Sequence, residues 1–183
     1  MKREQKMNML GVHCRSSPIV VDKFTQAEPV NVYGVLEEGV LVAGDRASDA
    51  TGLGLVVAQD AGGADTETRL FDVFCPTRHT VLVFAPDVTS PADVLEVLRK
   101  CPRDIVRPVI VLGQGSEVTT GAEADVVFDR DGHAYRAYLA VKGETRVVVV
   151  RPDGVVGAVV HGAAGVEAYF SKIFVLTPSS FSV

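Results

Sequence analysis

The chain alternates between short apolar runs of strand length and polar, glycine-rich connections. His79-Thr-Val-Leu-Val-Phe84 is a continuous apolar run of β-branched character, which predicts a central strand covered on both faces. Pro108-Val-Ile-Val-Leu112 repeats the pattern. Between them, Ser90-Pro91-Ala-Asp93 supplies a cap, a proline at the first helical position and an acid in the first turn. The helix that follows buries Val94, Leu95 and Leu98 and stops before Pro102. A strand, helix, strand order of this length implies a parallel pair joined by a right-handed crossover.

Weaker elements surround this unit. Met9-Leu-Gly-Val12 and Ile19-Val-Val21 read as two short extended pieces about Ser17-Pro18, and 37–54, rich in Gly, Ala, Asp and Ser, reads as a loop. Leu55-Val-Val-Ala58 and Thr66 to Leu70 flank Asp60-Ala-Gly-Gly-Ala-Asp65 and predict a hairpin, after which Leu70, Phe71 and Phe74 share one face of a helical turn. Ala124-Asp-Val-Val-Phe128 predicts a third strand, and Gly132 to Ala140 a helix. Thr145 to Arg151 and Val155 to Val160 enclose Pro152-Asp153-Gly154, the strongest hairpin signal in the chain. Val166, Tyr169, Phe170 and Ile173 then lie on one face of a closing helix. Assembled, this order is thioredoxin-like: an α/β fold with a central mixed sheet, helices on both faces and an extended N-terminal segment.

Composition narrows the function. At 183 residues with 47% hydrophobic and 22% charged positions, one well-filled core is expected. The net charge of -5 comes without a basic block, so nucleic acid and anionic membrane are not expected partners. No apolar run reaches the length of a bilayer span, and none of the signal-peptide kind follows Met1-Lys-Arg-Glu-Gln-Lys6, so a cytoplasmic location is expected. Cys14, Cys75 and Cys101 are odd in number and far apart, which reads as three plain core or subsurface thiols rather than a disulfide framework. Their reactivity depends on a pKa that sequence does not show.

Four phrases carry a resemblance: Ala43-Gly-Asp-Arg-Ala-Ser-Asp-Ala50, Leu70-Phe-Asp-Val73, Thr77-Arg-His-Thr-Val-Leu-Val-Phe-Ala85, and Val150-Arg-Pro-Asp-Gly-Val-Val-Gly157 continuing to Phe170. In this order they resemble the C-terminal thioredoxin-like domain of FAD-dependent aromatic hydroxylases of the phenol 2-monooxygenase type. The resemblance spans roughly residues 40 to 175, and 9–22 resembles the stretch leading out of the flavin domain. It divides the chain into an N-terminal segment, 1–40, and a thioredoxin-like domain, 41–183. It implies a dimerisation or packing role, with the flavin site in a domain outside this sequence, and therefore no cofactor of its own. The partners it implies are a second copy, a separate flavin monooxygenase or another pathway enzyme, in the setting of aromatic compound metabolism.

Residues with chemistry of their own are few. Gly52-Leu-Gly54 and Gly113-Gln-Gly115 lack the third glycine of a dinucleotide loop, with Val57 and Val118 in its place, and read as turn glycines. Redox proteins of thioredoxin-like fold hold a thiolate in the loop after the first central strand, near a helix N-terminus. Here that loop is Ala85-Pro-Asp-Val-Thr-Ser-Pro91, without sulfur, and Glu144-Thr145-Arg146 replaces the proline that precedes the hairpin strand. The four histidines, His13, His79, His133 and His161, have no close metal-ligand spacing. His79, Asp129, His133 and His161 remain as a candidate acid-base set for a small cofactor-free enzyme acting on a phenolic or polyketide-like substrate. The plainer reading has His79 and His133 bordering elements and bonding to backbone. Tyr135, Tyr138, Tyr169 and Phe170 read as core or interface filler rather than a ring-stacking pocket.

Overall fold

The computed structural model describes residues 13–24, 41–56, 66–116 and 124–174. The extended piece at Met9 to Val12 and the 57–65 turn lie outside them. So do 25–40, which carry the junction between the two expected units.

Eight strands form one mixed sheet: β1 (Val21–Asp22), β2 (Leu53–Val56), β3 (Thr66–Thr68), β4 (His79–Ala85), β5 (Val106–Leu112), β6 (Asp125–Asp129), β7 (Arg146–Val150) and β8 (Val156–Val160). Their order across the sheet is β1-β8-β7-β4-β5-β6-β2-β3. β4, β5 and β6 run parallel, and β7 lies antiparallel to β4 on its other side. Every residue of β4 is buried, as its unbroken apolar run requires. Among the described residues there are four helices: α1 (Leu70–Val73), α2 (Ala92–Arg99), α3 (His133–Ala137) and α4 (Gly162–Phe170). No helix among the described residues is long and apolar enough to cross a membrane.

Alternation along the strands splits the interior into two layers. Val81, Val83 and Ala85 of β4 face α2 and α4, where Val94, Leu98, Val166, Tyr169 and Phe170 close over them. Leu82 and Phe84 face the opposite layer, which holds α1, α3 and 41–50 through Leu70, Val73, Ala134, Tyr138, Ala43, Ala47 and Ala50. Burying one leucine or valine side chain contributes roughly 1.5–3 kcal/mol, so both layers are needed to hold the sheet. The α/β thioredoxin-like arrangement read from the sequence is therefore the one observed.

Several local expectations need correction. The loop expected over 37–54 runs too far, because Leu53 and Gly54 already belong to β2; Gly54 pairs with Phe128 of β6 and is no turn glycine. The 41–50 stretch has neither helix nor strand, yet it is a packed layer rather than a surface loop. Gly44 has φ +102° and passes so near the N-terminal segment that a Cβ there would lie 2.4 Å from Arg15 N, so only glycine fits. Asp45 beside it takes the Arg15 guanidinium at 2.6 and 3.0 Å. Phe71 points out, 51% exposed, while Leu70 and Val73 turn inward, because a four-residue helix has one buried stripe and Phe71 falls off it. α3 is shorter than expected and ends where Leu139 adopts φ +50°. α4 begins four residues earlier, at Gly162. The β2–β3 hairpin, as expected a hairpin, extends the sheet beyond β6.

Candidate functional site

The loop that follows β4 is the first place to look, since parallel strands present their carboxyl ends to ligands. It is organised by Asp87, not by the Ser90 cap expected from the sequence. Asp87 Oδ1 accepts the Thr89 and Ser90 N–H groups at 2.8 Å each and the Thr89 hydroxyl at 2.7 Å, and Oδ2 accepts the Ser90 hydroxyl at 2.8 Å. The helix then starts one residue after Pro91, which occupies the cap position with no side-chain bond. The Thr89 and then the Ser90 hydroxyl hold the Asp87 carboxyl far below the usual carboxylate range. A fixed negative charge thus stands in the loop before α2, bound by the loop's own Thr89 and Ser90 donors.

Beside this loop, Tyr135 of α3 reaches across the ends of two strands. Its hydroxyl lies 3.1 Å from the Ala85 carbonyl and 3.2 Å from that of Val111. Burial, then the Asp129 charge, raises its pKa to about 12, so it is a neutral donor at any physiological pH. Asp129, fully buried at the end of β6, accepts the Tyr135 N–H through Oδ2 at 2.8 Å, and its Oδ1 has no partner among the described residues. His133 opens α3 and places Nδ1 3.1 Å from the Thr51 carbonyl. Asp129 and His133 are therefore neighbours at one end of the sheet.

The other two candidates stand elsewhere. His161 precedes α4 at the end of β8, four strands from β6 and so roughly 19 Å across the sheet. Its ring lies 3.9 Å from that of Phe24, whose other neighbour is the Arg146 guanidinium at 4.0 Å. His79 begins β4, at the opposite end from Asp129, about 20 Å along the strand. It is buried among Tyr169, Phe170 and Phe174, with ring centroids at 6.0, 5.8 and 6.0 Å. Burial lowers its pKa, against the Ile105 carbonyl, which favours the charged ring. The structure brings together Asp129 and His133 and leaves His79 and His161 apart from them and from each other.

A residue that the sequence reading left among plain thiols stands out. Cys75, half-buried in the turn before β4, has its Sγ 3.3 Å from Thr77 Oγ1 and accepts the Arg78 Nε–H at 3.5 Å. Hydrogen bonds from the Arg78 and then the Thr77 side chain lower its pKa to about 6. Buried Cys101, in contrast, is pushed up by desolvation. The available signal was a cation three residues after the cysteine, in Cys75-Pro-Thr-Arg78. Cys75 lies at the end of β4 opposite the Asp87 loop, so its surroundings do not reproduce the placement of a thiol before α2.

No protein-family model and no curated protein matches the sequence. Among solved structures, the chain is similar to the mitochondrial 2-Cys peroxiredoxin of Plasmodium falciparum, with 13% identity and TM-score 0.53 over 75% of this chain and 96% of that one. It is similar to the thioredoxin domain of a thiol-disulfide oxidoreductase from Bacteroides vulgatus, with 15% identity and TM-score 0.52 over 73% of this chain and 96% of that one. Prx1a of Plasmodium yoelii gives 14% identity and TM-score 0.52 over 70% of this chain and 84% of that one. At such identities the likeness shows the thioredoxin-like fold alone.

Proposed function

We propose that this chain is a thioredoxin-like association module, related to the C-terminal module of FAD-dependent phenol hydroxylases, that joins a second copy of itself or a flavin monooxygenase without thiol redox chemistry at the end of β4. The observation that carries this reading is Asp87, a carboxylate bound by the N–H and hydroxyl groups of Thr89 and Ser90 in the loop where redox relatives of the fold keep sulfur. The Thr89 and Ser90 donors are taken by this exposed carboxylate and the loop holds no sulfur, which leaves nothing there to attack a disulfide or a peroxide. Phe71, 51% exposed with the Arg69 guanidinium 5.4 Å from its ring centroid, adds apolar surface of the kind that interfaces use. The phrases shared with the phenol hydroxylases support the choice of partner class. The alternative, a cofactor-free acid-base enzyme, draws support only from Asp129 and His133, because His79 and His161 stand too far off to share a substrate with them.

Sedimentation equilibrium, with insulin-reduction and peroxide-consumption assays on the same preparation, tests the proposal. It expects a dimer, or a complex with an added phenol-hydroxylase flavin domain, and no turnover in either assay. A strict monomer that binds no such domain, or thiol-dependent turnover, overturns it.

A further inference from the structure

The start of β4 and the end of α4 meet around a single imidazole. His79 is 9% exposed, and its Nδ1 has no hydrogen-bond partner among the described residues. Three aromatic rings enclose it, two from α4 and one, Phe174, from the turn that follows. That turn is held to the helix by the Ile173 and Phe174 N–H groups, which donate to the Phe170 carbonyl at 3.0 and 2.8 Å, and by the Phe170–Phe174 ring stack at 5.6 Å. The same turn reaches the N-terminal segment, where Lys172 Nζ donates to the carbonyls of Pro18 at 2.9 Å and Val20 at 3.4 Å. The next residues, Val21 and Asp22, pair with β8 as the edge strand β1.

We infer that His79 is a proton-operated latch: its neutral ring holds the Ser171–Phe174 turn against the sheet, and protonation releases that turn from the sheet and from its Lys172 contacts with Pro18 and Val20. An imidazolium at this position would carry a charge into an apolar enclosure and an Nδ1–H with no acceptor. The charges that face it do not compensate. From the β7–β8 turn come Arg151 and Asp153, which pair with each other at 2.5 Å and act on the ring with opposite sign. From α4 comes Tyr169, kept neutral because burial raises its pKa. The stretch before β5 contributes the Ile105 carbonyl, which accepts the His79 backbone N–H at 2.8 Å and favours the charged ring, but by less than burial disfavours it. On its own strand's approach, Arg78 is engaged with Cys75. Moving one exposed-side turn is a smaller change than opening the sheet, so the turn is the part that yields.

The inference goes beyond association and holds whatever partner the module takes. Its test is a pair of measurements by NMR from pH 7.5 to 5: titration of the His79 ring, and hydrogen exchange at the Phe174 amide corrected for the intrinsic rate. His79 is expected to titrate below the ordinary value of about 6.5, and opening at Phe174 to rise up to tenfold per pH unit below that value. In H79F, which keeps an aromatic ring and removes the proton site, the opening is expected to be independent of pH. Titration of His79 at or above its ordinary value, or the same acid-dependent opening in H79F, overturns the latch. Should H79F not fold, Phe174→Ala in its place removes one wall of the enclosure and is expected to bring the His79 titration back toward its ordinary value; an unchanged titration overturns the inference.

Discussion

Arg107 of β5 and Asp125 of β6 are locked together across adjacent parallel strands: Nε and Nη2 of the guanidinium both donate to Asp125 Oδ2, at 2.9 and 2.7 Å. Nη1 donates to the Val73 carbonyl at 2.8 Å, so one side chain joins the sheet to the end of α1. Both partners are mostly covered, at 19% and 15% side-chain exposure, and solvent screens the pair less than a surface bridge. Arg107→Met is expected to lower the unfolding free energy in urea by about 2 kcal/mol, the loss of a charge-assisted bond with its partners left in place. A loss below about 0.5 kcal/mol would put the pair with exposed ion pairs and remove its role in holding α1.

Cys75 is expected to alkylate with iodoacetamide far faster than Cys101 at neutral pH. The cause is the thiolate, favoured by Arg78 and Thr77 at Cys75 and disfavoured by burial at Cys101. Its rate should fall as pH drops through about 6 and be nearly constant above 7.5. Arg78→Met removes the first of the causes and is expected to move that midpoint upward. A midpoint left unchanged would show that the guanidinium does not reach the sulfur in solution. Mass spectrometry of the labelled peptides separates the three cysteines.

The elements that were legible in the sequence share one property: their pattern is set by burial on both faces. β4, β5 and the β7–β8 hairpin announce themselves because runs such as Val147 to Val150 have no polar interruption to mislead the eye, and Gly154, at φ +76°, marks the turn between the last two. The start of α2 is not legible because Ser90-Pro91 carries the usual cap signal, while the Ser90 N–H and hydroxyl donate back to Asp87, three residues earlier, a turn recognisable only once the loop is folded. The 41–50 layer was misread because small residues signal a loop by composition. Here Ala43, Ala47 and Ala50 are small because the segment lies flat on the sheet. The scattering of His79, Asp129, His133 and His161 follows from topology, since parallel strands put one end of each chain segment at one edge and the sequence gives no distances between strands. The Cys75 thiolate needed side-chain positions that no spacing rule specifies.

The tyrosines predict how the fold responds to alkali. Burial raises the pKa of Tyr135 to about 12, and pushes those of Tyr138 and Tyr169 higher still. In the unfolded chain these groups ionise near 10, so above that pH the unfolded state loses protons that the folded state retains. Stability contributed by the three neutral phenols is full below about pH 10 and is lost as pH rises toward 12 and beyond. Tyr138, whose hydroxyl donates to the Ser48 carbonyl at 2.6 Å, links α3 to the 41–50 layer. In a Tyr33→Phe variant, which leaves these three tyrosines as the whole phenolate signal, absorbance at the phenolate band is expected to rise together with loss of ellipticity in a single step. Ionisation of all three well before unfolding would contradict their burial.

Gly157 and Tyr169 make the sharpest packing test. The Tyr169 ring lies directly over the irregularity in the β7–β8 pairing, and a Cβ on Gly157 would stand 2.3 Å from its hydroxyl oxygen and 2.7 Å from Cζ. Neither can move aside easily, because Gly157 is buried in the strand and Tyr169 is fully covered. Gly157→Ala is therefore expected to cost about 1–3 kcal/mol by overpacking. Tyr169→Phe should be nearly neutral or slightly stabilising, since the buried hydroxyl it removes has no hydrogen-bond partner among the described residues. Combining them removes the closer of the two contacts but leaves the ring carbon, so Tyr169→Phe should recover part, not all, of the loss caused by Gly157→Ala. A double-mutant cycle in denaturant measures that coupling, and additive effects within about 0.3 kcal/mol would show that the hydroxyl does not bear on the strand.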